Sequence, residues 1–265
     1  VSGDDCLSVE YLAADRIAVV TLSRPHVRNA LNSQMGRRLA EVFGDLSGNP
    51  GVRCVVLTGA GEKAFCAGGD LKERLGMTTQ QWMAQHKIFE RAFAAIRHCR
   101  SPVIAAVNGL AIGGGCEVVL NADFATCAEH ARFGQPEVRL GIMPGGGGTQ
   151  LLPRRIPPGL AYELLMTGGT IGSEQAMRHG LVNHVFDQAD LLSGTLDIAR
   201  QICGNSPTAV SQLKRALWSG AGRPVKAALE IELALYGPLA SSADRIIGVT
   251  AFNERRKPEF PDASW

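Results

Sequence analysis

The stretch Val103–Phe124, VIAAVNGLAIGGGCEVVLNADF, followed by Phe133–Gln150, FGQPEVRLGIMPGGGGTQ, decides how this chain is read. An apolar run leads into the triple glycine Gly113–Gly115, with Glu117 just past it. A second acid, Glu137, stands twenty residues on in a Gln-Pro-Glu turn, ahead of a second glycine cluster, Gly145–Gly148. Glycine lets a backbone come close to a ligand and aim its N–H groups at it. Two carboxylates beside such a site can move protons, which points to chemistry on a carbonyl compound.

Outward from that stretch, strands and helices alternate. Leu7–Leu12 and Arg16–Ser23 read as a hairpin across an Ala-Ala-Asp turn. Asn32 or Ser33 caps a helix with the apolar stripe Leu39, Val42, Phe43 and Leu46. Arg53–Thr58 is a β-branched strand, and Trp82, Phe89, Phe93 and Ile96 mark a longer helix before the strand Pro102–Val107. Shorter strands are predicted near Asp123–Thr126 and Leu181–Val185. This order fits an α/β layer fold. After Ser206-Pro207 the signal is helical only: Ala209–Trp218, Val225–Tyr236 and Ala243–Arg256. The division expected is a core over 1–205 that holds the site and a helical region over 206–265. That region either covers the core or serves assembly.

Composition narrows the function classes. A length of 265 residues allows one large α/β domain with an ample core. Net charge is +2 and charged residues make up 20%, so neither nucleic acid nor a membrane is an expected partner. Apolar stretches such as Val103–Val107 are too short to span a bilayer. The first residues carry acids and no basic n-region, so no signal peptide is read. An upstream transit peptide stays an open alternative to a cytoplasmic location. Seven scattered cysteines with no C-x-x-C read as reduced thiols in a reducing compartment. No histidine spacing suits a metal, and none is expected.

Two glycine motifs are decoys. Gly59-Ala-Gly61-Glu-Lys-Ala64 matches a loose dinucleotide fingerprint, but Phe65–Gly69 reads as irregular and a helix follows where a strand is needed. Gly145–Gly148 lacks the Lys-Ser/Thr ending of a phosphate-binding loop.

The site can be assembled from parts. Gly69 precedes Asp70-Leu-Lys-Glu, and Gly113–Gly115 precede Cys116-Glu117; a helix can begin at each. Helix starts present free N–H groups and partial positive charge. Two such N–H groups on one carbonyl oxygen would stabilise an enolate, each worth about 2.7–4 kcal/mol in the transition state. Taken singly, each of these glycines is better read as serving a tight turn or close packing; two clusters, each opening a helix beside an acid, point to a site. Glutamates are mostly solvated, yet Glu117 sits among Cys116, Val118, Val119 and Leu120, an apolar context that raises a carboxyl pKa. With Glu137 it could hold one water and pass a proton each way.

The motifs together resemble the enoyl-CoA hydratase/isomerase (crotonase) superfamily along almost the whole chain. The resemblance rests on Ser23-Arg-Pro, Arg28-Asn-Ala-Leu-Asn32, Ala64–Asp70, Pro102–Gly109 through Gly113–Glu117, Phe133–Glu137, Pro144–Thr149 and Ala251–Pro258. It implies a crotonase-type spiral of ββα units, a helical C-terminal trimerisation region, trimers or hexamers, and acyl-CoA thioesters as substrates. Coenzyme A is then part of the substrate, and no separate cofactor is expected. Carried over by position, the oxyanion N–H groups fall on Gly69 and Gly114 and the acids on Glu117 and Glu137. A backbone contact to the reacting water falls on Gly145. CoA contacts fall on Arg28, Ala30 and Leu31, on Ala67 through Gly69, Asp70 and Leu71, and on Phe252 and Arg255 of the last helix. Gly69 stands where alanine is common, and Arg255 replaces a frequent lysine.

Within this superfamily the fold does not fix the reaction. Isomerases manage with one carboxylate, and other branches replace one or both glutamates. Both acids here imply a hydratase, adding water syn across C2–C3 of a trans-2-enoyl-CoA in fatty-acid or related acyl-CoA degradation. The alternative is an isomerase, or a hydratase of a branched, cyclic or aryl-substituted acyl-CoA. Gly76–Lys87, with Trp82 and Met83, would form part of the acyl-pocket wall, though both side chains suit a core helix equally. Tyr236 closes the pocket's far end or packs between helices.

Overall fold

The computed structural model describes residues 6–263. Strands β1 (Leu7–Leu12) and β2 (Ile17–Leu22) pair antiparallel as the hairpin the sequence predicts. Asn32 then caps α1 (Ser33–Gly48) through its side chain, which accepts the Met35 N–H at 2.9 Å.

Three ββα units follow. The first is β3 (Cys54–Gly59), β4 (Ala64–Cys66), the short α2 (Leu71–Arg74) and the long α3 (Thr79–His98). The second is β5 (Val103–Val107), β6 (Leu110–Ile112) and α4 (Gly114–Asn121). The third is β7 (Phe124–Ala128), β8 (Arg132–Gly134), a 3-10 turn over Glu137–Leu140, and α5 (Gly148–Arg155). Beyond them lie α6 (Pro158–Thr167), β9 (Thr170–Gly172), α7 (Ser173–Arg178), β10 (His184–Phe186), α8 (Leu191–Cys203), α9 (Pro207–Gly220), α10 (Val225–Ala240) and α11 (Ala243–Asn253). In each unit the first strand joins a six-stranded sheet, ordered β1-β2-β3-β5-β7-β10, and the second a four-stranded one, ordered β4-β6-β8-β9. That alternation is the ββα spiral.

The large sheet is parallel from β2 onward, and its inner strands β2, β3, β5 and β7 are largely buried on both faces and mostly apolar. Their period of two divides the core. Val20, Val55, Leu57, Ala105 and Val107 join Phe43, Phe89 and Leu120 on one side. Val19, Val56, Ile104 and Ala106 join Leu191 and Ala199 of α8 on the other.

Several expectations need correcting. Phe65, read as irregular, lies in β4, whose backbone pairs with β6. The strand read over Leu181–Val185 begins only at His184, because the Leu181 and Val182 N–H groups still bond to the Ala176 carbonyl. The last helix ends at Asn253, so Arg255 lies beyond it with φ 55°.

The C-terminal helical region is anchored through α9 and through the stretch after α11, where Arg53 donates to the Phe260 carbonyl at 2.6 Å and the Pro261 carbonyl at 2.9 Å. In α9, Lys214 Nζ lies 2.7 Å from Asp123 Oδ2, and Trp218 Nε1 donates to Asp123 Oδ1 at 2.8 Å. The α10 helix buries none of its residues. All seven cysteines are buried. Among the described residues no helix is long and apolar enough to cross a membrane.

Candidate active site

The second ββα unit carries Glu117 into a cavity. Gly113 turns the chain from β6 into α4 with φ 55° and ψ −123°, a conformation that favours glycine. A Cβ there would also stand 2.9 Å from Glu137 Oε1. At Gly115 a Cβ would collide with the Cys66 carbonyl oxygen, so only glycine lets α4 rest directly on β4. Glu117 therefore points inward from the first turn, 4% exposed.

The second glycine cluster wraps this carboxylate. Glu117 Oε1 accepts the N–H groups of Gly146 at 2.6 Å and Gly148 at 3.0 Å. Asn121, one turn on, fixes that loop by donating to the carbonyls of Glu117 at 2.8 Å and Gly146 at 2.9 Å. Burial raises the Glu117 pKa. The Gly148 and Gly146 N–H groups, the His86 ring and the Arg74 guanidinium pull it back.

Glu137 opens the 3-10 turn after β8 and is 9% exposed. Burial pushes its pKa up to about 7, with its own N–H lowering it, the Glu117 charge adding to the rise and Arg74 opposing it. The Gln135 amide, oriented to satisfy its hydrogen bonds, places its nitrogen 3.1 Å from both Glu137 oxygens. The two acids thus differ in character: one carboxylate is cradled by backbone N–H groups, and the other is disposed to hold a proton at neutral pH.

Among the described residues the N–H groups of Gly69 and Gly114 donate to no backbone oxygen. Gly69 N lies 3.8 Å from where a Gly114 Cβ would stand, so the two donors neighbour each other. Leu31 holds the Gly69 strand in place, its N–H donating to the Gly68 carbonyl and its own carbonyl accepting from Asp70 N–H, both at 2.8 Å. Asp70 caps α2 by accepting from Lys72 N and Glu73 N and pairs with Arg24 at 3.0 Å. Burial raises its pKa, but Arg24 and these N–H groups outweigh that, so the net shift is downward.

Glu117, Glu137, Gly69, Gly114 and Gly145 all line one cavity of about 630 Å³, together with Leu31, Ala67 and Leu71. Trp82 and Met83 also line it, so α3 supplies a pocket wall at these positions. The remaining predicted contacts do not border the cavity. Arg28 is exposed and gives its carbonyl to Ala67 N–H at 3.0 Å. Ala30 is buried beneath the cavity wall, its carbonyl accepting from Arg24 at 2.6 Å. Phe252 is 84% exposed on α11, and neither it nor Arg255 reaches the cavity of its own chain. Tyr236 does not line the cavity of its own chain; it is largely exposed and borders a small hollow between α9, α10 and α11.

Sequence reasoning missed three basic side chains on the cavity wall: Arg74, His86 and Arg139. Periodicity marks the helix that carries His86 but not the direction of that ring, and Arg74 ends a helix too short to show a pattern.

A ββα spiral with two buried acids facing two free N–H groups across an apolar cavity defines an enzyme class that moves protons beside a carbonyl it polarises. The chain belongs to the enoyl-CoA hydratase/isomerase family, whose model matches residues 13–263. It is 41% identical over 244 residues to a short-chain-enoyl-CoA hydratase of Clostridium acetobutylicum, covering 92% of this chain and 94% of that one. It is 38% identical over 246 residues to a crotonyl-CoA hydratase of Syntrophomonas wolfei, covering 93% and 95%. The crystal structure of an enoyl-CoA hydratase from Bacillus anthracis superposes with a TM-score of 0.93 at 37% identity, covering 97% of this chain and 99% of that one.

Proposed function

We propose that the chain is an enoyl-CoA hydratase, adding water syn across the C2–C3 double bond of a trans-2-enoyl-CoA to give a 3-hydroxyacyl-CoA. The observation that carries this reading is the unlike pair Glu117 and Glu137 in one cavity. Glu117, stabilised as a carboxylate by two N–H groups, takes a proton from water as the oxygen bonds to C3. The electron pair of the double bond moves towards the thioester oxygen, where the Gly69 and Gly114 N–H groups hold the enolate. Glu137, with a pKa of about 7, delivers its proton to C2. Transfer of the water-derived proton from Glu117 to Glu137 then restores the starting state. Because the acids share one water, they titrate as a pair.

Coenzyme A enters as part of the substrate, so the reaction needs no further cofactor. Gly145 faces the cavity beside Glu117, a position that suits a backbone contact to the reacting water. Leu31, Ala67 and Leu71 suit the thioester end of the substrate, while Arg28, Ala30, Asp70, Phe252 and Arg255 are assigned to the CoA side, outside the acyl cavity. Assembly through residues 206–265 into a trimer or a hexamer is supported by the exposed Leu217, Val225, Leu229, Leu233, Val249 and Phe252. Seven scattered cysteines with no C-x-x-C suit a reducing compartment, and we place the protein in the cytoplasm on that ground. The test is loss of the conjugated-thioester absorbance with crotonyl-CoA, set against a 3-enoyl-CoA. Turnover of the 3-enoyl substrate alone would make the chain an isomerase and overturn the reading.

A further inference from the structure

Arg74 is a half-buried cation on the cavity wall whose terminal amino groups have no hydrogen-bond or ion-pair partner among the described residues. Of the other two basic side chains on the wall, Arg139 is exposed and bonded only through its Nε, which donates to the Thr167 carbonyl at 3.2 Å, and His86 Nε2 lies 3.1 Å from Glu90 Oε1. Arg74 Nε donates to Gln85 Oε1 at 2.8 Å. Among the described residues its two amino groups make no hydrogen bond and no ion pair.

The guanidinium is nevertheless held rigidly. Its carbon stands 4.3 Å from the Trp82 ring centre and 5.6 Å from that of Phe89. Gln85, which fixes Nε, is itself buried and donates to Glu73 Oε2 at 2.7 Å and to Ser33 Oγ at 3.0 Å. A stacked, half-locked guanidinium offers its outer edge as a planar fork suited to a carboxylate. Leaving that edge unpaired in an apolar pocket is unfavourable, so it calls for an anionic acceptor. The position says where that acceptor must be. The guanidinium carbon lies 3.2 Å from where a Gly69 Cβ would stand, next to the proposed seat of the thioester oxygen. Glu73, and in the cavity Glu117 and Glu137, act on the same cation, and an anionic substrate group entering beside these acids needs it as a counter-charge.

We infer that Arg74 forms a carboxylate subsite, and that the preferred substrate is a short enoyl-CoA whose acyl chain ends in a second carboxylate, the half-thioester of an unsaturated dicarboxylic acid. This rests on the hydratase reading and specifies its substrate class.

The test compares three thioesters on the wild-type protein: 4-carboxybut-2-enoyl-CoA, its methyl ester, and crotonyl-CoA. The acid is expected to exceed its ester in kcat/KM by about thirtyfold, the scale of a charge-assisted hydrogen-bonded pair. Arg74→Met should abolish that preference and Arg74→Lys should retain part of it, mainly through KM. A wild-type protein that turns over crotonyl-CoA but does not prefer acid to ester overturns the inference while leaving the hydratase reading intact. So does an Arg74→Met variant that loses acid, ester and crotonyl-CoA turnover in equal proportion, which would assign Arg74 to the acid pair. Absence of turnover with all three fails the hydratase reading instead. Calorimetric binding of 4-carboxybutanoyl-CoA against its methyl ester then decides the subsite by itself, and equal affinity overturns it.

Discussion

Glu137→Gln separates what this carboxyl does in turnover from what it costs the fold. Burial and the Glu117 charge raise its pKa from the ordinary 4.5 to about 7. The unfolded chain releases the same proton near 4.5, so between pH 4.5 and about 7 the folded state binds more protons than the unfolded one. Stability from this group therefore falls as pH rises through that window. At 1.36 kcal/mol per pH unit the full displacement amounts to about 3 kcal/mol, felt in full by pH 8 and not at all below pH 4. Glutamine keeps the shape, still accepts one hydrogen bond from Gln135, and carries no charge. Urea unfolding of both proteins at pH 5 and pH 8, at one protein concentration, reads the difference. The variant should gain about 2–3 kcal/mol relative to wild type between the two pH values, because the raised pKa of Glu117 is common to both and largely cancels. Crotonyl-CoA turnover should drop at least about a hundredfold, and the wild-type fall in activity above about pH 7 should vanish from the residual rate. Unfolding curves that shift in parallel at both pH values would mean an ordinary carboxylate at 137 and would remove the basis for its role as proton donor.

Four further outcomes follow from the same geometry. Glu117→Gln should cut crotonyl-CoA turnover at least about a hundredfold with an unchanged circular dichroism spectrum; a near-wild-type rate would refute its role as base. Replacing the Gly114 amide by an ester removes one N–H and should slow turnover by about two to three orders of magnitude, while calorimetry finds free CoA binding almost unchanged. Gly115→Ala sets a methyl group against the Cys66 carbonyl and should lower stability by about 1–3 kcal/mol or more in thermal melts. Deleting everything after Ser219 removes α10 and α11 and should give a smaller or aggregated species by light scattering; full oligomer mass would sink the assembly proposal.

The long elements were legible because each is buried on a face that imposes a period. The β2, β3 and β5 strands announce themselves as β-branched runs, and α1 and α3 as stripes at helical spacing. The four strands of the small sheet were not legible. Each is three residues long, too short for alternation to register, and pairing with the preceding unit defines it. The helices α5 to α8 were passed over too; in the 148–172 region glycines and prolines leave helices of only 8 and 10 residues.

The site divides along the same line. Gly113, Gly114, Glu117 and Glu137 could be singled out because their work needs an absent side chain or an acid in an apolar setting, and both show in the local sequence. Asn121 and Gln85 could not, since each acts by bridging segments 25 and 12 residues apart. Arg74 is the sharpest case. In sequence it ends the charged run Lys72-Glu73-Arg74, which reads as a solvated surface. In the fold it is the last residue of a helix of four, held by the Asp70 cap at one end and by Trp82, Phe89 and Gln85 at the other. Each residue along an α-helix turns the side-chain direction by about 100°. Adding or removing a single residue between Asp70 and Arg74 would therefore swing the guanidinium off the Trp82 ring and out of the cavity, so the polarity of the acyl pocket depends on the length of this one turn.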